Sequence, residues 1–243
     1  MIMIHQCWHR MRAMAFPALM VLMIHMILPA GCAPEQSVKP GINERWRSPE
    51  IEPLIGSLES ESREIYVNRA LLAAVVAPRP GSAVADVGAG SGFMSEQFAR
   101  LVGPSGMVYA VDINPVMMEH VARKAAENGI EIIETVVCTD TSVNLPPSSV
   151  DMIFICDTYH HFEYPVSTMR SIRRALRPGG EIVLVEFTRE AGVSRQWVMD
   201  HVRAGRSVFT DEITAAGFEL IEVHDVPFLR ENYVLRFRKI ARE

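Results

Sequence analysis

Apolar and polar positions follow two rhythms along this chain. Short apolar runs at Ala83 to Val87, Met107 to Val111, Ile132 to Cys138, Val150 to Cys156 and Glu181 to Phe187 have the length and β-branched content of strands buried on both faces. Between them, apolar residues recur at helical spacing from Phe93 to Leu101, from Pro115 to Glu127 with proline in the tolerated first turn, and from Val166 to Leu176, where Pro178-Gly179-Gly180 stops the pattern. Alternating strands and helices predict an α/β fold: a doubly wound, mostly parallel sheet with helices on both faces. Ser60 to Val76 predicts a further helix before the first strand, closed by Pro78 and Pro80-Gly81. Thr188 to Arg206 reads as a packed helix with a solvated face. Phe218 to Val223 and Tyr233 to Arg238 end the chain, the latter alternating like an antiparallel edge or hairpin.

The N-terminal part has a different pattern. Arg10 and Arg12 precede an apolar run from Ala13 to Leu28, followed by Pro29-Ala-Gly-Cys32. Its length suits a signal-peptide core better than a spanning helix, and Leu28-Pro-Ala-Gly-Cys32 resembles a bacterial lipobox. Residues 1–32 are therefore expected to form a lipoprotein-type leader or membrane anchor, with an early start codon as the alternative. Residues 33–54 are polar and aperiodic and predict a flexible linker; residues 55–243 form the domain. This places the protein at a membrane, exported if the leader is used and cytoplasmic if the start is mis-assigned.

Composition narrows the function classes. With 243 residues, 49% hydrophobic, the chain is long enough for one well-cored domain plus an appendage. A net charge of −5 supplies no basic footprint, so no nucleic-acid partner is expected. Cys7, Cys32, Cys138 and Cys156 show neither metal-type pairing nor a disulfide framework, and no metal site is expected.

The chemistry concentrates at Val84-Ala-Asp-Val-Gly-Ala-Gly-Ser-Gly-Phe93, a strand that runs into three alternating glycines and then a helix. A dinucleotide fingerprint needs glycine where Phe93 stands, and a phosphate loop needs a Gly-Lys-Ser/Thr ending that is missing. Asp86-Val-Gly-Ala-Gly-Ser-Gly resembles motif I of the class I S-adenosylmethionine-dependent methyltransferases. Asp112 after the second strand and Leu176-Arg-Pro-Gly-Gly180 before the fifth extend the resemblance over about Glu61 to Lys239. It implies a Rossmann-like seven-stranded sheet, mostly parallel with the last strand antiparallel, and S-adenosylmethionine as cofactor. The implied cofactor residues are Asp86, Gly88, Ala89, Gly90, Gly92, Asp112, Ile113, Asp140, Thr141 and Asp157. Among them, Asp112 corresponds to the carboxylate on the ribose hydroxyls, Asp140 to the acceptor for the adenine amino group, and Asp86 orders the methionine end.

Methyl transfer from a sulfonium is an in-line displacement in which positioning supplies most of the catalysis. A base matters only when the acceptor must lose a proton, so Cys156-Asp-Thr-Tyr-His-His-Phe162 is the informative loop. Tyr159, His160 and His161 are the catalytic candidates, and each histidine reads equally as a structural hydrogen bond at a strand end. A histidine pair there resembles the branch that includes quinone C-methyltransferases, implying a small-molecule acceptor. Arg63, Tyr66 and Arg69 before the first strand, and Arg189, Trp197, His201 and Arg203 after the fifth, are further candidates to line the site. The alternative function is a membrane-tethered binding protein that keeps the fold without catalysis.

Overall fold

The computed structural model describes residues 34–241; the expected leader, its Cys32 and the first linker residue lie outside them. Seven strands form one sheet: β1 Ala83–Val87, β2 Met107–Asp112, β3 Ile133–Val137, β4 Val150–Cys156, β5 Leu176–Phe187, β6 Phe218–His224 and β7 Asn232–Lys239. Their spatial order is β3-β2-β1-β4-β5-β7-β6. β1 to β5 pair in parallel, and β7 runs antiparallel to both β5 and β6. The reversed last strand is therefore interior, and β6 is the edge.

The continuous apolar runs are explained by what covers the sheet. Alternate residues of one strand enter different cores. Ala83, Ala85 and Val87 join Ile153, Ile155, Ile182 and Leu184 under α6 Pro165–Ala175 and α8 Arg206–Ala215. Val84 joins Phe154, Val183 and Val185 under α3 Arg69–Val76 and α4 Phe93–Val102. Within that second core Phe98 meets Phe154 edge to face at 5.0 Å, and both rings are fully buried. A third cluster sets Met117, Met118 and Val121 of α5 Pro115–Glu127 against Ala110 of β2.

The connection order reverses between β1 and β4, so their C-terminal ends diverge into a crevice, the usual place for a ligand in an open α/β sheet. The glycine turn after β1 and the loop after β4 border that crevice.

Two expectations are corrected. The helix read over Ser60 to Val76 is two helices, α2 Glu64–Val67 and α3, joined at Asn68, whose Nδ2 donates to the Glu64 and Phe228 carbonyls. An Asn side chain competing for backbone partners interrupts a helix in this way. The flexible linker is also not observed over residues 35–54. Glu35 accepts from the Val166 and Ser167 amides at the start of α6, Val38 N–H donates to Glu163, and Arg45–Arg47 form a 3₁₀ turn. The chain then enters α1 Glu52–Leu58, with Ile51 and Leu54 buried against the α5 cluster. This strap borders the crevice and belongs to the same compact unit as the sheet. Among the described residues, no helix is long and apolar enough to cross a membrane.

Candidate active site

A cavity of about 470 Å³ opens at the C-terminal ends of β1 and β4, within the size range of small-molecule and cofactor clefts. Its lining brings together residues far apart in sequence. Asp86, Gly88, Ala89, Gly90, Asp112, Ile113, Asp140, Asp157, His160 and His161 all reach it.

The glycine turn is shaped by its neighbours as much as by a ligand. Gly88 has φ +78°, and a Cβ there would run into the Thr158 side chain from the loop after β4. Gly90 lies under Leu58 of α1 in the same fashion. Gly92, expected to contact the cofactor, is outside the cavity lining: its missing Cβ makes room for Val121 of α5, whose Cγ1 would lie 2.9 Å away. Thr141 is likewise exposed and outside the lining; its N–H turns back to the Thr139 hydroxyl.

The carboxylates occupy distinct environments. Asp86, 3% exposed, accepts a hydrogen bond from Ser95 Oγ at 2.7 Å; burial, with Asp112 nearby, pushes its pKa up to about 7. Asp112 accepts from the Gly90 and Asn114 amides, both at 3.0 Å, so its carboxylate is held at the turn with acceptor capacity to spare. Burial also raises its pKa. Asp157, in the left-handed region at φ 48°, bonds Arg63 at 2.7 Å and Asn232 at 2.6 Å. Asp140 is already engaged: Arg47 on the strap reaches both of its oxygens, at 2.6 and 2.7 Å.

The loop after β4 sorts its three candidates. Tyr159 is fully buried between Phe162 and Phe209 and does not line the cavity, so a substrate role is not open to it. His160 is 1% exposed; its Nδ1 lies 2.9 Å from both oxygens of Glu186, a carboxylate buried inside β5. His161 faces the cavity beside Trp46, and burial lowers its pKa to about 2. Its Nε2 lies 3.4 Å from Nε2 of His201, on α7 Gln196–His201. Burial lowers the His201 pKa to about 4, so both rings are neutral at neutral pH. Burial pushes the Cys138 thiol up to about 12 and raises that of Cys156, so neither is a thiolate nucleophile.

Of the flanking candidates, Arg63, Trp197 and His201 line the cavity. Tyr66 packs on Phe93 with Arg69 over its ring, while Arg189 and Arg203 are spent on the Met199 carbonyl and Glu212. Sequence reasoning missed Asn43, Trp46, Arg47, Glu186 and Asn232. A charge inside the apolar run Val183 to Phe187 is the one signal that singles out Glu186.

The family described as a methyltransferase domain matches residues 85–184. The ubiquinone/menaquinone biosynthesis C-methyltransferase of Bordetella avium is 32% identical over 113 residues, 46% of this chain and 44% of that protein. Its Hahella chejuensis namesake is 32% identical over 112 residues, 46% and 45% of the two chains. The chain thus spans under half the length of the curated relatives it matches. A SAM-dependent methyltransferase from Aquifex aeolicus superposes with a TM-score of 0.69 at 22% identity, covering 79% of this chain and 99% of that one. The [4+2]-cyclase SpnF superposes with a TM-score of 0.62 at 18% identity, covering 70% and 80%.

Proposed function

We propose that this chain, which carries a class I S-adenosylmethionine-dependent methyltransferase domain, transfers the cofactor's methyl group to a small, flat, largely apolar acceptor. One observation carries the reading. The carboxylates matching the family's cofactor positions and the histidines of the loop after β4 line one cavity, whose lining also includes the aromatic rings of Trp46, Phe162, Phe187 and Trp197. The quinone-pathway relatives point to the same acceptor chemistry.

The residues present fit the cofactor. Asp112, fixed by two amides, offers its remaining lone pairs to a ribose diol, and the turn through Gly88 and Gly90, both at positive φ, brings the backbone to the cavity. Asp86 offers an acceptor for the α-ammonium of the amino-acid end and Arg63, paired with Asp157, a donor for its carboxylate, while Thr139, Asp140, Ser142 and Val143 border the position for a base. Arg47 takes the Asp140 oxygens that the family resemblance assigns to the adenine amino group, so strap and adenine share that carboxylate's lone pairs. When bound, the sulfonium supplies an electrophilic methyl with its own leaving group. The protein's part is to align the acceptor on the opposite side and exclude water. His161 faces the cavity as a neutral ring; with its pKa lowered to about 2 it is a hydrogen-bonding group that orients the acceptor rather than a base that deprotonates it.

Calorimetry on the full chain tests the reading. S-adenosylmethionine and S-adenosylhomocysteine are expected to bind and NAD is not, and methyl-labelled cofactor should then label a small phenolic or quinol acceptor. Failure to bind either methyl-cycle ligand overturns it.

The leader supports a second proposal, that Cys32 anchors the protein to a membrane. Cys32→Ala should abolish lipid labelling in a bacterial host and release the chain from membranes or leave it unprocessed. Equal labelling of the variant overturns the anchor.

A further inference from the structure

His160, His161 and His201 form a cluster that the proposed methyl transfer does not need in full. They come from the loop after β4 and from α7, forty residues downstream, and one nitrogen of each lies within 4.8 Å of one nitrogen of the others. The ring centroids make a triangle with sides of 4.3, 5.0 and 5.1 Å.

We propose that these three histidines hold a divalent transition-metal ion of the zinc class, with a fourth position open to the cavity. Three features carry this. The first is spacing: at a metal–nitrogen distance of roughly 2.0–2.1 Å, tetrahedral ligand nitrogens lie about 3.3 Å apart. The His161 and His201 Nε2 atoms lie 3.4 Å apart, long for a direct hydrogen bond.

The second is the support behind His160. Glu186, with no exposed surface, accepts from His160 Nδ1, which leaves the Nε2 lone pair free for a metal. A carboxylate behind a histidine ligand is the usual arrangement at such sites, where it fixes the tautomer and raises ligand basicity. Glu186 is held in turn by the amides of His160 and Phe187. This arrangement also accounts for an acidic side chain buried near the C-terminal end of β5.

The third is access. All three rings line the cavity, so an ion on them has protein on one side and the acceptor space on the other. Three protein ligands with one open position is the catalytic form of a zinc site, and three imidazoles without carboxylate favour zinc, copper, iron or nickel over magnesium or calcium. The fourth ligand is water or an oxygen of the acceptor. An acceptor hydroxyl bound there releases its proton to solvent more readily and stays on the ion as an anion. Only this last step rests on the proposed methyl transfer; metal binding does not.

The test uses the full chain, stripped with a chelator and titrated with Co²⁺ and then Zn²⁺. One equivalent of Co²⁺ should bind with the strong visible absorption of a four- or five-coordinate ion, and Zn²⁺ should displace it. His161→Ala and His201→Ala should each abolish that band. Glu186→Gln should weaken binding about 10–100-fold while leaving the far-ultraviolet circular dichroism of the fold in place. His224→Gln, on β6 and away from the cluster, should change nothing. Absence of the band in the full chain, or its persistence in folded His201→Ala, overturns the site and leaves a set of hydrogen-bonded rings. Cofactor calorimetry is a separate readout, so failure of the metal site does not count against methyl transfer.

Discussion

Asp112 shows how a single side chain is fixed at the rim of the cavity. Its carboxylate terminates β2, and the amides of Gly90 and Asn114 fix both of its oxygens before any ligand arrives. Asp112→Ala removes charge-assisted hydrogen bonds at that point, which are worth about 1.5–3 kcal/mol each. With both ribose hydroxyls bonded, calorimetry should show S-adenosylmethionine affinity falling by roughly two to four orders of magnitude in a variant with native circular dichroism; unchanged affinity removes the ribose assignment. At this scale the sequence points to the cavity lining where residue type and position coincide, as for Asp86, Gly88, Gly90 and Asp112. It was not legible where burial decides the outcome. Tyr159 and His160 are neighbours of equal chemical promise, yet one points into the α8 core and the other into the cavity. A single turn of 3₁₀ helix sets that difference, and no periodicity reports it.

Among the elements, the strap departs furthest from its composition. Residues 35–54 carry few apolar side chains, so hydropathy assigns them to a tether; what holds them is polar. Asn114 is central to this. Its Oδ1 accepts from the Val116 and Met117 amides and caps α5, while its Nδ2 donates at 2.8 Å to the Trp46 and Ser48 carbonyls. One buried amide thus serves helix and strap together. Asn114→Ala should cost roughly 2–3 kcal/mol in denaturant unfolding, about 1 for the cap and the rest for the two strap bonds. Asn114→Asp keeps the cap acceptor and loses the donors. Both variants should speed proteolysis between residues 35 and 50, and the Asp oxygen that replaces Nδ2 faces two carbonyl oxygens, so Asp should not rescue the strap; equal proteolysis of parent and variants shows that the strap is held by other contacts. The core helices and strands were legible because their periods are long and unbroken. The strap was not, since side chain to backbone hydrogen bonds have no period.

For the whole molecule, topology follows from the strand and helix rhythm, and the reversal between β1 and β4 then puts the cavity where the glycine turn and the histidine loop meet. That geometry has a thermodynamic cost, carried by Asp86. Its folded pKa is raised to about 7 by burial, against the unperturbed 3.8. Between those two values the folded chain holds a proton that the unfolded chain has released, so stability increases as pH falls from 7 towards 4. Above pH 7 both states are ionised and the folded state bears the full cost of the buried charge, on the order of 4 kcal/mol for about three pH units. Asp86→Asn keeps an acceptor for Ser95 and removes the titration. The stability difference between variant and parent should therefore shift in the variant's favour by a few kcal/mol from pH 4 to pH 8, and a difference constant across that range excludes the ionisation as its source. The same proton links stability to binding. An α-ammonium group beside Asp86 favours the carboxylate, so S-adenosylmethionine affinity should rise through pH 7 in the parent with release of a proton, and remain flat in the variant. Asp86 thus weakens the fold once ionised, and the proposed cofactor would offset that cost on binding by placing its α-ammonium beside the carboxylate.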